Sequence, residues 1–128
     1  MTFDPALELS RADELRVTLR WTAILRDHVS RSLAATGGVH EATDVVKALL
    51  VGADVVMIAS ALIKHGPEHL VSMYTGVGQW LDQHEYQSIR QMKGSMSERN
   101  CADPQALKRA NYVKALTSFS AEGSIREC

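Results

Sequence analysis

The chain has 128 residues, about one domain's length, and its 45% hydrophobic and 23% charged residues are ordinary for a soluble protein. Fourteen basic residues against 15 acidic ones leave a net charge of -1, which provides no basic field for a nucleic-acid backbone. The longest apolar stretch, Val55 to Ile63, is too short to span a membrane, and residues 1–5 lack a basic-then-apolar leader. These features predict a cytoplasmic protein that binds neither nucleic acid nor membranes.

The first predicted element is an amphipathic helix from Arg11 to Val29, with Ser10 as its N-cap. Two adjoining stripes recur at helical spacing, namely Leu15, Leu19 and Thr22, and Val17, Trp21 and Ile24. Arginines lie between the stripes, so the segment favours a helix with one face on a core.

A strand–helix–strand unit is predicted next. The apolar run Ser32 to Thr36 stops at Gly37-Gly38, as a buried strand does before a tight turn. The following segment has the helical spacing of Ala42, Val45, Val46, Leu49 and Leu50 and reaches Gly52, a residue suited to a left-handed cap. The unbroken run Asp54 to Ala59 is typical of a strand covered on both faces. Two strands joined by one helix predict a parallel crossover.

The C-terminal half is predicted to be helical. Gly66-Pro67 opens a helix, Ser88 to Met92 forms a short one before the Gly94 break, and Asp103-Pro104 starts another. The predicted apolar stripes are Leu70, Tyr74, Val77 and Leu81 in the first of these helices and Leu107, Tyr112, Leu116 and Phe119 in the last. The tail from Ser120 to Cys128 has few anchors.

The number of strands is unusual, because two parallel strands cannot cover each other's faces and edges. Either strands of a partner complete the sheet, or the chain is the end of a longer polypeptide. We therefore expect the isolated chain to self-associate through its exposed strands or to be partly molten.

The two strand ends carry the candidate binding residues. Gly37 and Gly38 let the backbone approach an anion closely, and Ala59 and Ser60 end the second strand with small side chains. Ligands of parallel sheets bind outside the carboxyl ends of the strands. The sequence therefore predicts a phosphate site formed by the two neighbouring turns.

Other motifs favour plainer interpretations. His40 could contact a ligand, although a capping or surface role is the simpler reading, and His65 and His69 lack a third metal ligand. Gly76-Val77-Gly78 follows no strand, which favours a flexible helix or a close packing contact over a dinucleotide fingerprint. Cys101 and Cys128 have neither zinc-site nor disulfide spacing. No metal site is expected.

Several segments resemble the last two β/α units of dihydroorotate dehydrogenases. The likeness lies in Ala34–Val39, Asp44–Leu49, Gly52–Ser60 and His65–Pro67. Leu15–Trp21 and Met92–Ser97 look like the dihydroorotate dehydrogenase-like branch of bacteria. The resemblance covers about Leu9 to Phe119.

The resemblance implies a (β/α)₈ TIM barrel that binds FMN and oxidises dihydroorotate to orotate in pyrimidine biosynthesis. Gly37, Gly38, Ala59 and Ser60 then correspond to the FMN phosphate site, with Ala59 a mild departure from the Gly or Tyr usual there. The family's catalytic base, its substrate-binding asparagines and its flavin-contacting lysine come from earlier strands. No catalytic residue is therefore expected in this chain.

The resulting hypothesis treats residues 1–128 as one incomplete α/β domain, the C-terminal quarter of a barrel. Residues 9–66 form a helix and the phosphate-site unit, 67–119 the terminal helices, and 120–128 a tail. Its function would be the FMN phosphate anchor of a flavin oxidoreductase that is inactive as the 128-residue chain alone, with dihydroorotate or a similar small molecule as substrate of the parent. The alternatives are another phosphate-binding barrel, such as a sugar-phosphate isomerase, and a non-catalytic remnant or interaction module.

Overall fold

The computed structural model describes residues 7–100 and Gln105. The helices are α1 (Leu15–Leu25), α2 (Ala42–Leu50), α3 (Ser60–His65), α4 (His69–Gln83) and α5 (Ile89–Met92), and the strands are β1 (Ala34–Ala35) and β2 (Val55–Val56). Short 3-10 turns span Ala12–Glu14 and Glu98–Asn100. The helix predicted after Asp103-Pro104, the tail and both cysteines lie outside the described residues.

The two strands form the predicted parallel pair, with Ala34 opposite Val55 and Ala35 opposite Val56. Helix α2 makes the crossover between them. Strand-like hydrogen bonds continue past the assigned ends, since Asp54 N donates to Leu33 O and Met57 N to Ala35 O, each at 2.8 Å. The parallel crossover is therefore confirmed, although both strands are shorter than predicted.

One face of this sheet is covered and the other is open. Ala35 is buried and Val56 packs against the apolar cores, whereas Val55 and Met57 are 52% and 54% exposed. The prediction of a second strand covered on both faces is therefore wrong for the described residues. The helices cover only the side to which Ala35 and Val56 point.

Helix α1 is shorter than predicted and begins differently. The 3-10 turn Ala12–Glu14 precedes it, and Arg11 rather than Ser10 is the N-cap of that turn. The Arg11 N–H donates to the Glu14 side chain at 3.0 Å, which satisfies the start of the turn without a serine. The predicted Ser10 cap is therefore wrong, because the Ser10 side chain makes contacts elsewhere.

Helices α2 and α4 pack closely and hold the largest core. Val46 and Leu49 of α2 meet Val77 of α4 and Met92 of α5. A Cβ at Gly76 would lie 2.6 Å from the Ala42 Cβ, which confirms the close-packing interpretation of the Gly-Val-Gly motif.

The apolar stripe predicted for α4 is only partly buried. Val77 is buried, but Leu70 is 50% and Tyr74 81% exposed, while Met73 takes a core position. The helix is therefore rotated relative to the predicted stripe. Within residues 7–100 no helix is both long and apolar enough to cross a membrane.

Candidate functional site

The two turns predicted to bind phosphate lie at the same edge of the sheet. Because Ala35 and Val56 are paired in parallel strands, the segments that follow them leave at one edge. Gly37 and Gly38 follow β1, and Ala59 is the N-cap of α3, which begins at Ser60. The structure therefore brings together the four residues named from the sequence.

Gly37 and Gly38 both have a left-handed backbone, but they differ in the space that surrounds them. Gly37 has φ +91° and Gly38 has φ +73°. The atom nearest to a Cβ at Gly37 would be Thr18 Oγ1 at 3.7 Å, so space is available there. A Cβ at Gly38 would collide with the Leu15 backbone nitrogen and lie 2.9 Å from the Arg11 carbonyl oxygen.

The expected reason why position 38 needs a glycine is partly wrong. The sequence predicts a phosphate close to the position of a Gly38 Cβ, whereas the start of α1 fills that space. What Gly38 offers toward the neighbouring turn is its N–H group.

Ser10 joins the two turns. The Gly38 N–H donates to Ser10 Oγ at 3.3 Å. The backbone N–H and the hydroxyl of Ser10 both donate to Ser60 Oγ, each at 2.9 Å. Sequence reasoning missed this residue because a serine before an amphipathic segment looks like a helix cap.

Two histidines form a chain of hydrogen bonds that ends at the Ser10 carbonyl oxygen. His40 Nε2 lies 2.8 Å from the Ser10 carbonyl oxygen, and His69 Nε2 lies 2.7 Å from the His40 carbonyl oxygen. A carbonyl can only accept, so both ring nitrogens donate. The His65 and His69 rings contact each other with centroids 4.8 Å apart.

These contacts give the histidines structural roles. The His40 backbone N–H donates to Asp44 Oδ2 at 3.2 Å, and Asp44 also accepts from the Glu41 backbone N–H at the start of α2. Across residues 7–100 and Gln105, no group of three or more His, Cys, Asp or Glu residues is arranged to hold a metal ion.

The chemistry available at the turns is hydrogen-bond donation. The Gly38 N–H and the Ser60 hydroxyl each lie within hydrogen-bond distance of the Ser10 hydroxyl. Arg11, the nearest basic residue in sequence, has a largely exposed side chain that pairs with Asp13 at 3.2 Å. Such a cluster can bind an anion through N–H and O–H groups, but it contains no general base.

A polar cleft of about 390 Å³ lies elsewhere, beside the residues that precede the two strands. Its lining consists of Arg26, Asp27, Val29, Ser30, Arg31, Ser32, Asp54 and Arg99. Asp54 binds Arg26 there, so charged groups concentrate at the amino ends of the strands rather than at the turns.

The chain matches the model of a known protein family. No curated protein matches the chain. The model of the family described as "Conserved region in glutamate synthase" matches residues 14–99, which is more than half of the chain.

This match corrects the expected family. The resemblance to dihydroorotate dehydrogenases is overturned, because the matching family is that of glutamate synthase. Both are FMN-binding barrel families, and a glycine turn followed by a small-residue strand end is a pattern of phosphate-binding barrels in general rather than of one substrate. These residues therefore could not separate the two families. The chain belongs to the family of the conserved region in glutamate synthase.

Proposed function

We propose that this chain is the phosphate-anchoring portion of an FMN-dependent barrel oxidoreductase of the glutamate synthase family. Gly37, Gly38, Ala59 and Ser60 would hold the FMN phosphate. The reacting groups and most of the flavin site would come from other strand–helix units of the barrel. The observation that carries the proposal is the convergence of Gly38 N–H and the Ser60 hydroxyl at one edge of a parallel sheet.

The open surfaces of the sheet support a barrel. Val55 and Met57 point away from the helices and are about half exposed, as barrel-interior side chains would be without the other strands. On α1, Val17, Trp21 and Leu25 form an exposed ridge with 61%, 54% and 40% exposure. A preceding strand–helix unit would cover such a ridge.

The direction of this ridge agrees with that interpretation. Arg26 of the same helical segment reaches Gly52 and Asp54 on the β2 side of the sheet. Trp21 lies five residues before Arg26, so its side chain points to a different side of α1. The exposed ridge therefore points away from the β2 side of the sheet, as expected if a barrel continues before β1.

The phosphate end of FMN fits the two turns. The Gly38 N–H and the Ser60 hydroxyl are within reach of a common oxygen atom, since both hydrogen-bond to Ser10 Oγ. A Cβ at Gly37 would meet no atom closer than 3.7 Å, so the backbone beside this point is accessible. Phosphate oxygens accept hydrogen bonds from N–H and O–H groups of this kind.

The residues at the two turns determine which part of the reaction this chain would support. Bound FMN would supply the hydride-accepting ring, and this chain's residues would fix its phosphate and so orient the ring. Hydride transfer also needs a positioned base and a substrate pocket, and the cluster at the turns has neither. The chain alone is therefore expected to bind without turnover.

Equilibrium dialysis of the 128-residue chain against FMN and riboflavin tests the proposal. Riboflavin carries the same ring without the phosphate. We expect retention of FMN, release of that FMN by inorganic phosphate, and no retention of riboflavin. Equal retention of both flavins, or of neither, would contradict a phosphate anchor.

A non-catalytic interaction module is the second candidate. The exposed apolar side chains of the sheet face and of α1 favour it, because soluble monomers rarely expose such patches together. This candidate predicts association with another protein and no flavin retention, so the same dialysis separates the two functions.

A further inference from the structure

Ser10 occupies the meeting point of the donors that the proposed phosphate site needs. Its hydroxyl accepts from the Gly38 N–H, and its N–H and hydroxyl both donate to Ser60 Oγ. Its carbonyl accepts from His40 Nε2. Every polar group of Ser10 is therefore committed to the two turns or to the histidine behind them.

The segment that carries Ser10 lies largely on the surface. Residues 7–11, which we name the Ser10 strap, include Leu7 at 75% exposure and the exposed Glu8 and Arg11. The strap leads directly into the 3-10 turn Ala12–Glu14, and the backbone on either side of that turn, at Arg11 and Leu15, lies against Gly38. Ahead of that turn, the hydrogen bonds of Ser10 anchor a short, largely exposed segment to the two turns.

We propose that the Ser10 strap is an internal competitor of the anion, an inference that rests on the proposed function. The Ser10 hydroxyl takes the position of a phosphate oxygen between Gly38 N–H and Ser60. Binding of FMN or inorganic phosphate displaces it and frees the strap. The apparent affinity is then reduced by the fraction of molecules in which the strap is closed.

The direction of the change in anion affinity shows whether the Ser10 hydroxyl competes with the anion or binds it. If Ser10 competes, removing its hydroxyl weakens the closed state and tightens anion binding. If the hydroxyl instead contacts the bound phosphate, the same change weakens binding. The Ser10 side chain takes part in two hydrogen bonds, whose net contributions correspond to an increase in affinity of about fivefold to a hundredfold.

The test compares three variants with the parent chain by equilibrium dialysis against FMN. Ser10→Ala removes the hydroxyl, Ser10→Thr keeps one, and Ser72→Ala makes the same change on the exposed side of α4. We expect tighter binding for Ser10→Ala only, with Ser10→Thr and Ser72→Ala like the parent. Hydrogen exchange of residues 8–11 should become faster when phosphate is added to the parent chain.

Each result decides the matter. Weaker or unchanged FMN binding by Ser10→Ala, with FMN bound by the parent, would overturn the strap and leave the phosphate anchor standing. Slower exchange of the strap on adding phosphate would do the same. Absence of FMN binding by both the parent and Ser10→Ala would overturn the anchor and the strap together.

Discussion

The Lys93 ammonium donates to Oδ1 of Asp54, which lies 39 residues earlier in the sequence. The other carboxylate oxygen of Asp54 accepts from Arg26 Nη1 and from the Leu33 N–H, each at 2.9 Å. One carboxylate therefore ties the end of α1, the approach to β1 and the residue after α5 to the start of β2. The Lys93 hydrogen bond, the Leu33 N–H and Arg26 lower the pKa of Asp54 below its ordinary value of 3.8, against the opposing effect of burial.

Replacing this carboxylate should destabilise the fold in a pH-dependent way. We expect Asp54→Asn to lower the free energy of unfolding at pH 7 by about 2 kcal/mol, because two cations lose their partner. Since the folded-state pKa lies below 3.8, the carboxylate's contribution is complete above that pH and is lost as the pH falls through the folded-state value. Urea unfolding at pH 7 and pH 3 should show a smaller difference between the two proteins at pH 3.

Asp13→Asn is the matched control for that experiment. Asp13 pairs with Arg11 on the surface, where the two side chains are 62% and 79% exposed. Its loss should change the free energy of unfolding by less than about 0.5 kcal/mol. Equal effects of the two substitutions would show that the Asp54 network does not hold the fold together.

The adjacent glycines should differ sharply in their tolerance of a methyl group. Gly38→Ala places a Cβ against the backbone of Arg11 and Leu15, and we expect a loss of about 3 kcal/mol or more. Gly37→Ala has space for its Cβ and should lose only about 1 kcal/mol, from its positive φ. Urea unfolding of both variants checks this, and equal losses would contradict the close approach of α1 to Gly38.

The position of the two turns was predictable from the sequence, because turns need residues that tolerate particular backbone conformations. A Gly-Gly pair after a short apolar run indicates a turn at a strand end, and parallel pairing then places it beside Ser60. The role of Ser10 was not predictable from the sequence. A serine at this position can cap a helix or, as here, form hydrogen bonds with a residue 50 positions away. Only the folded chain shows which of the two occurs.

A second pair of glycines tests the packing of α2 against α4. In Gly76→Ala the new Cβ would lie 2.6 Å from the Ala42 Cβ, so we expect a loss of about 1–2 kcal/mol through forced separation of the helices. In Gly78→Ala no atom lies within 4 Å of the Cβ, and better helix propensity should add about 0.5–1 kcal/mol. Thermal unfolding followed by circular dichroism should therefore shift in opposite directions. A shared direction would mean that α4 does not pack on Ala42 as described.

The fold was predicted most successfully where local pattern and tertiary packing agree. The α2 spacing and the left-handed Gly52, with φ +114°, follow directly from the sequence. The exposed face of β2 did not, because an unbroken apolar run indicates burial on both sides whether or not the covering layer is present. Helical spacing with Leu70 and Val77 predicts a core position for Tyr74, but α4 is rotated so that Met73 takes that position and Tyr74 is 81% exposed.

The exposed sheet face should make the isolated chain associate. Met57 and Trp21 are both more than half exposed, and contact between copies would bury them. We expect concentration-dependent sedimentation for the parent chain and weaker association for Met57→Lys. Ser72→Lys, which adds the same charge on α4, should behave like the parent. A single monomer boundary at every concentration would contradict this expectation.

The most direct measurement is the ³¹P NMR spectrum of FMN during titration with the chain, because it observes the phosphate itself. Ser60→Asp places a carboxylate at the proposed site. The new carboxylate can still accept hydrogen bonds from Ser10 and is favourable at the start of α3. Ser72→Asp adds the same charge on the exposed side of α4. We predict that the parent chain and Ser72→Asp broaden and shift the FMN phosphorus resonance, and that Ser60→Asp does not. An unchanged resonance with the parent chain, or equal changes with both variants, would contradict a phosphate site between Gly38 and Ser60.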